Sequence, residues 1–466
     1  MTDIHLETDY LIVGSGAVGM AFADILLDET DANIVIVDKY PKPGGHWNVA
    51  YPFVNLHQPS AYYGVSSREL SKGRLDPVGL NKGLNDLATG AEVSAYFDEV
   101  MRHKFLNSGR VQYFPMCEYS SEGRFQSMVT GQRYTVSVKK KTVDCTFLQT
   151  SVPSTHTPTF SIDPGVQFIP LNDLTRMTVP PAGYTVIGGG KTGIDACLWL
   201  LEQGVNPDEI RWVMPRDAWL LDRRNTQTSP EFFADSVGAQ ALQMEAIVDA
   251  ESVTDLFDRL EAAGVLLRID RDVRPKMFHG ATISQLELKE LRRIKNIVRL
   301  GRVERLEKDQ IVFEQGTLPT SPDELHVDCS ASAITNARIT EVFKGDLITP
   351  QTVRSYQPVF SAAFIAHIEA AYDDEAEKNA ICGVVPLPNH DTDWIRMFSA
   401  FMMNQYTWSQ HPEIAKWLLD NRLDGFSTLM KSASPDDEEK QAIIGRIRGN
   451  AIPAVTKLQE FMAEIG

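Results

Sequence analysis

Two short glycine-rich stretches, GSGAVG at residues 14–19 and GGGKTG at residues 188–193, are the parts of this chain best suited to chemistry. In the first, Gly14 permits a tight turn, Gly16 lets backbone approach a pyrophosphate, and Gly19 lets helix and strand pack closely. A helix opening at Ala17 and Val18 would aim the positive end of its dipole at that anion. Asp38, 24 residues after Gly14 and followed by Lys39, closes the next apolar run, where a carboxylate can accept from ribose hydroxyls. The pattern predicts an adenine dinucleotide; a plain tight turn in some other α/β protein is the alternative. The second stretch repeats the phosphate geometry with Gly188, Gly190 and Gly193, and carries Lys191 and Thr192 inside the turn. Its following strand ends in Pro215-Arg216 with no acid at the tip. A guanidinium pairs with a 2′-phosphate that a carboxylate would repel, so NADPH is expected in preference to NADH. Arg223 and Arg224 add charge nearby, and Asp217 opposes it.

Each turn needs a strand before it and a helix after it. Residues 9–13 (DYLIV), 20–27 (MAFADILL) and 33–37 supply strand, helix and strand around the first, and residues 184–187, 194–203 and 210–214 supply them around the second. The expected class is therefore α/β, with two Rossmann-like dinucleotide-binding domains and a helical C-terminal region. Different ribose readers on one chain imply two cofactors, and the usual purpose is hydride relay from a nicotinamide to a tightly held flavin. FAD is assigned to the first turn and NADPH to the second. Residues 1–165 and 326–466 are read as the FAD-binding domain, and 166–325 as the NAD(P)H-binding domain. Val93 to Leu106 reads as a helix, 111–150 as a small antiparallel meander, and the six prolines between 153 and 181 as a linker. The rhythm of LELKELRRIKNIV suggests a helical insertion over about 230–300, and SPDDEEK at 434–440 a helix start.

With 466 residues, 43% of them apolar, the chain suits two or three globular domains. Its net charge of −17 disfavours nucleic acid and anionic membranes as partners, because both need clustered Lys and Arg. The opening MTDIHLETD lacks the basic flank of a secretory signal, so a cytoplasmic location is expected. The five cysteines form no CxxC pair, which argues against a zinc ribbon or a dithiol reductase and leaves free thiols. Asn389-His390-Asp391 with Asp393 reads as a polar turn, and no metal is expected.

The stretch PKPGGHWNVAYPFVNLHQPSAYYGV at 41–65, through Gly44, Gly45, Trp47, Tyr51, Pro52 and Ser60, resembles the class B flavin-dependent monooxygenases among the flavoproteins with two dinucleotide-binding domains. VIGGGKTGIDACLWLLEQG and WVMPRDAW resemble the NADPH domain of that family, strand-end arginine included. The resemblance implies that Gly45, His46 and Trp47 help hold FAD and that the following segment runs beneath the flavin. Asn55, His57 and Gln58 would then lie near the ring, where such side chains can hydrogen-bond bound oxygen and protect the N5 proton; His57 as a structural hydrogen bonder is the other reading. Gln357 to Glu369 resembles the returning segment whose helix N-terminus, with Phe360 and Ser361, points at the flavin's pyrimidine edge; an amphipathic core helix is the alternative. The implied activity is NADPH-dependent transfer of one oxygen atom from O2 to a small organic substrate. A flavin reductase or dehydrogenase that does not insert oxygen, and a flavin-binding redox sensor, are the other classes the residues allow. Trp394, Met402 and Met403, near Tyr406 and Trp408, would wall a substrate pocket or simply fill core. Substrate identity and homo-oligomer formation are left open.

Overall fold

The computed structural model describes residues 3–332 and 337–466. The apolar run before the first turn forms the strand Ile4–Val13, in which Leu11 and Ile12 have no solvent exposure, as expected of a strand covered on both faces. It pairs in parallel with Ile34–Val37 on one side and Arg133–Asp144 on the other. Val111–Phe114 extends the sheet beyond Ile34–Val37, and Leu347–Ile348 and Phe343–Lys344 extend it beyond Arg133–Asp144. The helix Ala17–Glu29 buries Met20, Phe22 and Leu26 and packs against the helix Pro358–Ala371. Chain beyond the second turn thus completes the first sheet and its cover.

The meander expected over 111–150 is confined to 117–144. Cys117–Ser121 and Arg124–Ser127 are antiparallel neighbours, and Arg124–Ser127 pairs antiparallel with Arg133–Asp144. Val111–Phe114 instead lies parallel to Ile34–Val37. The helix expected over Val93 to Leu106 starts earlier, at Gly90, because Thr89 and Glu92 form a capping box. It continues through a wide turn over Met101–Phe105.

A second sheet has five parallel strands in the order Phe168–Pro170, Glu324–Asp328, Gly183–Ile187, Ile210–Val213, Asn296–Val298. Two segments therefore differ from expectation. The proline-rich stretch contributes the edge strand Phe168–Pro170, a place where a proline costs no ladder bond. The helical rhythm after residue 284 stops at Leu291, and Asn296–Val298 becomes a strand beside Ile210–Val213. The β-branched pair Ile297-Val298 gains more from the sheet than helix propensity offers. Within 230–300, the helices Phe233–Asp249 and Val253–Ala262 are joined by the strands Leu266–Leu267 and Met277–Ile283, which flank Ala218–Asp222.

After Pro358–Ala371 come five further helices among the described residues, ending in Glu438–Ile465. That long helix lies on Phe233–Asp249 and Asp393–Ser409. Trp219, Phe257, Phe278, Trp394, Phe398 and Phe461 share one apolar core there. The C-terminal helices thus share a core with the 230–300 region as well as covering the first sheet. No described helix is long and apolar enough to cross a membrane.

Candidate functional site

At the first turn, a Cβ placed on Gly19 would lie 2.0 Å from the carbonyl oxygen of Gly14, so the helix reaches the strand only with glycine there. Gly16 caps the helix Ala17–Glu29 with no side-chain bond, leaving the dipole end free for an anion. Across the turn lies Gly45, with φ +58°, where an added Cβ would come within 2.9 Å of the Gly16 Cα. Gly44 N–H also donates to the Ser15 carbonyl at 2.8 Å. Buried Asp38 accepts from Ser15 N–H and, at 2.8 Å, from Ser15 Oγ on one oxygen, and from Tyr40 N–H at 2.7 Å on the other. The carboxylate therefore braces the turn and retains lone-pair capacity. Lys39 points outward, with Nζ 5.3 Å from the Tyr40 ring centroid. His46 stacks on Trp47 at 5.3 Å, and burial pushes its pKa down to about 4. Trp47 Nε1–H donates to Tyr63 at 2.7 Å.

The segment from Tyr51 onward crosses to the second turn. Tyr51 is buried in the core of the second sheet, and its hydroxyl donates to Asp195 Oδ2 at 2.6 Å. Lys191 pairs with the other oxygen of Asp195, and Phe53 stacks on Trp199 at 4.9 Å. Burial, then the Asp195 charge, hold the Tyr51 hydroxyl well above its ordinary pKa. His57 follows: its Nδ1 is buried without a hydrogen-bond partner, and its carbonyl accepts from Arg223 Nε at 3.0 Å. Burial, reinforced by the Lys191 charge, lowers its pKa to about 3. Asn55 is exposed and bridges Thr89, while Gln58 is half-buried. Ser60 is spent on Asp86 and Ala88. Of the three candidate reacting residues, His57 feels the charges of Lys191, Asp195 and Arg223.

The second turn repeats the first. A Cβ on Gly193 would sit 2.0 Å from the Gly188 carbonyl oxygen, to which Trp212 Nε1–H donates at 2.8 Å. A Cβ on Gly190 would meet nothing within 4 Å, and Thr192 is half-buried on the first turn of the helix Lys191–Glu202. Arg216 donates through Nη2 to Asn389 Oδ1 at 2.8 Å. Asp217 faces the other way, gripped by Arg299 at 2.7 and 2.9 Å, so its charge is neutralised. Arg223 is buried and pairs with Glu287 at 2.8 Å, and Arg224 pairs with Asp235 at 2.7 Å. Arg223 is thus closed off from a nucleotide, whereas Arg224 is exposed.

On the returning segment, Phe360 is buried beneath the Arg354 guanidinium at 3.9 Å. Ser361 Oγ accepts from Val353 and Arg354 N–H and donates to the Gln357 carbonyl. Both side chains are committed to structure. The residues just before them are not. Ser355 Oγ, the Tyr356 hydroxyl and Gln357 Oε1 are buried without partners, as is Gln405 Nε2. Tyr356 also has φ +60°, a conformation non-glycine residues seldom adopt without a reason.

No family model matches the chain. An uncharacterized protein of Mycobacterium tuberculosis is 47% identical over 442 residues, 94% of this chain and 81% of its own length, and a Mycobacterium bovis protein matches to the same extent. The chain belongs to the family of these mycobacterial proteins. Among solved structures, an ε-caprolactone-bound cyclohexanone monooxygenase aligns with TM-score 0.47 and 13% identity, over 92% of this chain and 97% of that one. An NADP-bound steroid monooxygenase aligns with TM-score 0.46 and 13% identity, over 78% and 85%.

Ser15, Asp195, Ser355 and Tyr356 are additions that sequence reasoning missed, whereas Tyr51 and Gln357 entered only through the resemblance and Asn389 only as part of a polar turn. Ser15 lies inside the first glycine turn and could have been noticed there. Asp195, Ser355 and Tyr356 carry no local signal, because each gains its importance from a partner or burial supplied by distant chain. Trp394, Met402 and Trp408 are core, whereas Met403 and Tyr406 are 46% and 63% exposed, so the five do not form one pocket wall.

Proposed function

We propose that this chain is a flavin-dependent oxidoreductase that binds FAD at the first glycine turn, is reduced by NADPH at the second, and oxygenates a small organic substrate. The observation that carries this reading is the repetition of one turn geometry with two different strand-end residues. In each turn the last glycine sits where a Cβ would strike the carbonyl of the first, and the helix behind it has no side-chain cap. One following strand ends at Asp38, suited to ribose hydroxyls, and the other at Arg216, suited to a 2′-phosphate.

In this reading Gly14, Gly16, Gly19, Asp38 and the first N–H groups of the helix at Ala17 and Val18 hold the FAD phosphates and ribose, with Gly45, His46 and Trp47 alongside. Gly188, Gly190, Lys191, Thr192, Gly193 and Arg216 hold NADPH. Bound flavin supplies the chemistry of taking a hydride from the nicotinamide and passing two electrons on to O2. The chain's own contribution begins with His57, which is neutral at physiological pH and so serves as a hydrogen-bond partner rather than a proton source. Ser355, Tyr356 and Gln357, unpartnered at the N-terminus of Pro358–Ala371, suit the polar edge of the flavin better than Phe360 and Ser361 do. Resemblance of residues 41–65 to the class B monooxygenases supports the oxygenating step.

The test is direct. Purified protein should be yellow, and NADPH should bleach it anaerobically faster than NADH. With air and a small organic sulfide or ketone as probe, oxygen uptake should yield oxygenated product. Colourless protein that takes up no added FAD ends the flavin reading. Reduction followed by quantitative hydrogen peroxide release with every probe leaves a reductase.

A further inference from the structure

The strand tip at Arg216 is more than one arginine. Asn389, in the segment that leads into the helix Asp393–Ser409, presents Oδ1 to Arg216 Nη2 at 2.8 Å and to His279 Nε2 at 3.1 Å. One neutral oxygen thus serves a guanidinium and an imidazole from separate parts of the second unit. Asn389 and His279 are both exposed, so the cluster opens to solvent. Burial, then the charge of exposed Arg302, lower the Arg216 pKa, and burial, reinforced by the Arg216 charge, lowers that of His279, so its imidazole is a neutral donor at physiological pH. Two nearby carboxylates are engaged elsewhere, Asp217 by Arg299, and Asp393 by Arg396 and the backbone N–H groups of Asn389 and His390, while Glu314 accepts from Arg302 N–H at 2.9 Å. In a chain carrying −17, Arg216 is a cation held here by a neutral acceptor rather than by a carboxylate.

We infer that Arg216 and His279 together form a phosphate-monoester subsite in which Asn389 Oδ1 is the internal occupant, displaced when a 2′-phosphorylated nucleotide binds. The inference rests on the nicotinamide reading of the second turn and adds residues from the Met277–Ile283 strand and from the C-terminal region. A phosphate near two negative charges outcompetes an amide dipole for the Arg216 guanidinium, because an arginine–phosphate pair is charged on both sides and can be bidentate, and the neutral His279 adds one further donor. Displacement frees the segment at 389–393, which otherwise reaches the Met277–Ile283 strand through Phe278 N–H to the Asn389 carbonyl at 3.4 Å and a bridge between Met277 and His390. Recognition of the nucleotide is thereby coupled to the start of the Asp393–Ser409 helix.

The experiment compares calorimetric binding of adenosine 2′,5′-bisphosphate and adenosine 5′-monophosphate to the full chain and to its His279→Ala, Asn389→Ala and Asn389→Asp variants. Thermal midpoints are recorded to confirm that each variant is folded. Wild type should prefer the bisphosphate. Removing the occupant, Asn389→Ala, should tighten the bisphosphate about twofold to fivefold, and the fixed carboxylate of Asn389→Asp should weaken it about tenfold or more. His279→Ala should weaken it about threefold to tenfold, with the monophosphate unchanged in all three. Weaker bisphosphate binding in Asn389→Ala, or equal binding in Asn389→Asp and wild type, overturns the inference while leaving the NADPH reading intact. Wild type without preference for the bisphosphate overturns both.

Discussion

The hydroxyl of Tyr51 donates to Asp195 across 2.6 Å, tying the segment that leaves the first glycine turn to the helix that follows the second. Tyr51→Phe keeps the ring and its packing on Phe53 but deletes a bond to a charged acceptor. The expected cost is on the order of 1 to 3 kcal/mol. Urea unfolding followed by tryptophan fluorescence reads it, and flavin content should not change. An unaltered midpoint would mean that the Lys191 ion pair alone satisfies Asp195.

Gly19→Ala and Gly193→Ala should separate the two cofactors. Each adds a Cβ 2.0 Å from a carbonyl oxygen and must push strand from helix. Gly19→Ala should give colourless protein, and Gly193→Ala yellow protein that NADPH no longer bleaches. Loss of both functions in either variant, with the fold intact by circular dichroism, would show that the turns do not act separately.

Arg216→Ala should raise the Michaelis constant for NADPH roughly tenfold to a hundredfold, corresponding to about 1 to 3 kcal/mol of charge-assisted bonding. The constant for NADH should stay within about twofold, since a free 2′-hydroxyl makes little use of the charge. Equal loss with both nucleotides would make Arg216 structural through its bond to Asn389.

His57 links stability to pH. Its folded pKa is lowered to about 3 from an ordinary 6.5, so below about 6.5 the unfolded chain takes up a proton that the folded chain refuses. Its contribution is therefore present above pH 6.5 and lost progressively as pH falls toward 3. His57→Gln should remove up to about 1.4 kcal/mol per pH unit from the slope of stability between pH 6 and 4. His46, lowered to about 4, acts in the same direction and should leave a residual slope in that variant. Identical slopes for wild type and His57→Gln would place the imidazole in water.

What the amino-acid sequence determined by itself is local. The glycine turns were legible because the clash that demands Gly19 or Gly193 involves a carbonyl five residues earlier, and a strand-turn-helix pattern repeats over a few tens of residues. Asp38 and Arg216 were legible as the ends of apolar runs. The tertiary structure decided everything that depends on distant partners. Tyr51 meets Asp195 over 144 residues and Asn389 meets Arg216 over 173, separations at which no hydrophobic period carries information. The loop holding Asn55, His57 and Gln58 has no period either, so only packing could bury His57 Nδ1 and leave Asn55 at the surface. Ile297 and Val298 continue a helical rhythm on paper, yet they pair with Trp212 and Val213 because the parallel sheet has an open edge for β-branched side chains. Ser355, Tyr356 and Gln357 read as ordinary polar residues until folding buries them without partners, since the cost of an unpaired polar atom exists only once water has been excluded from it.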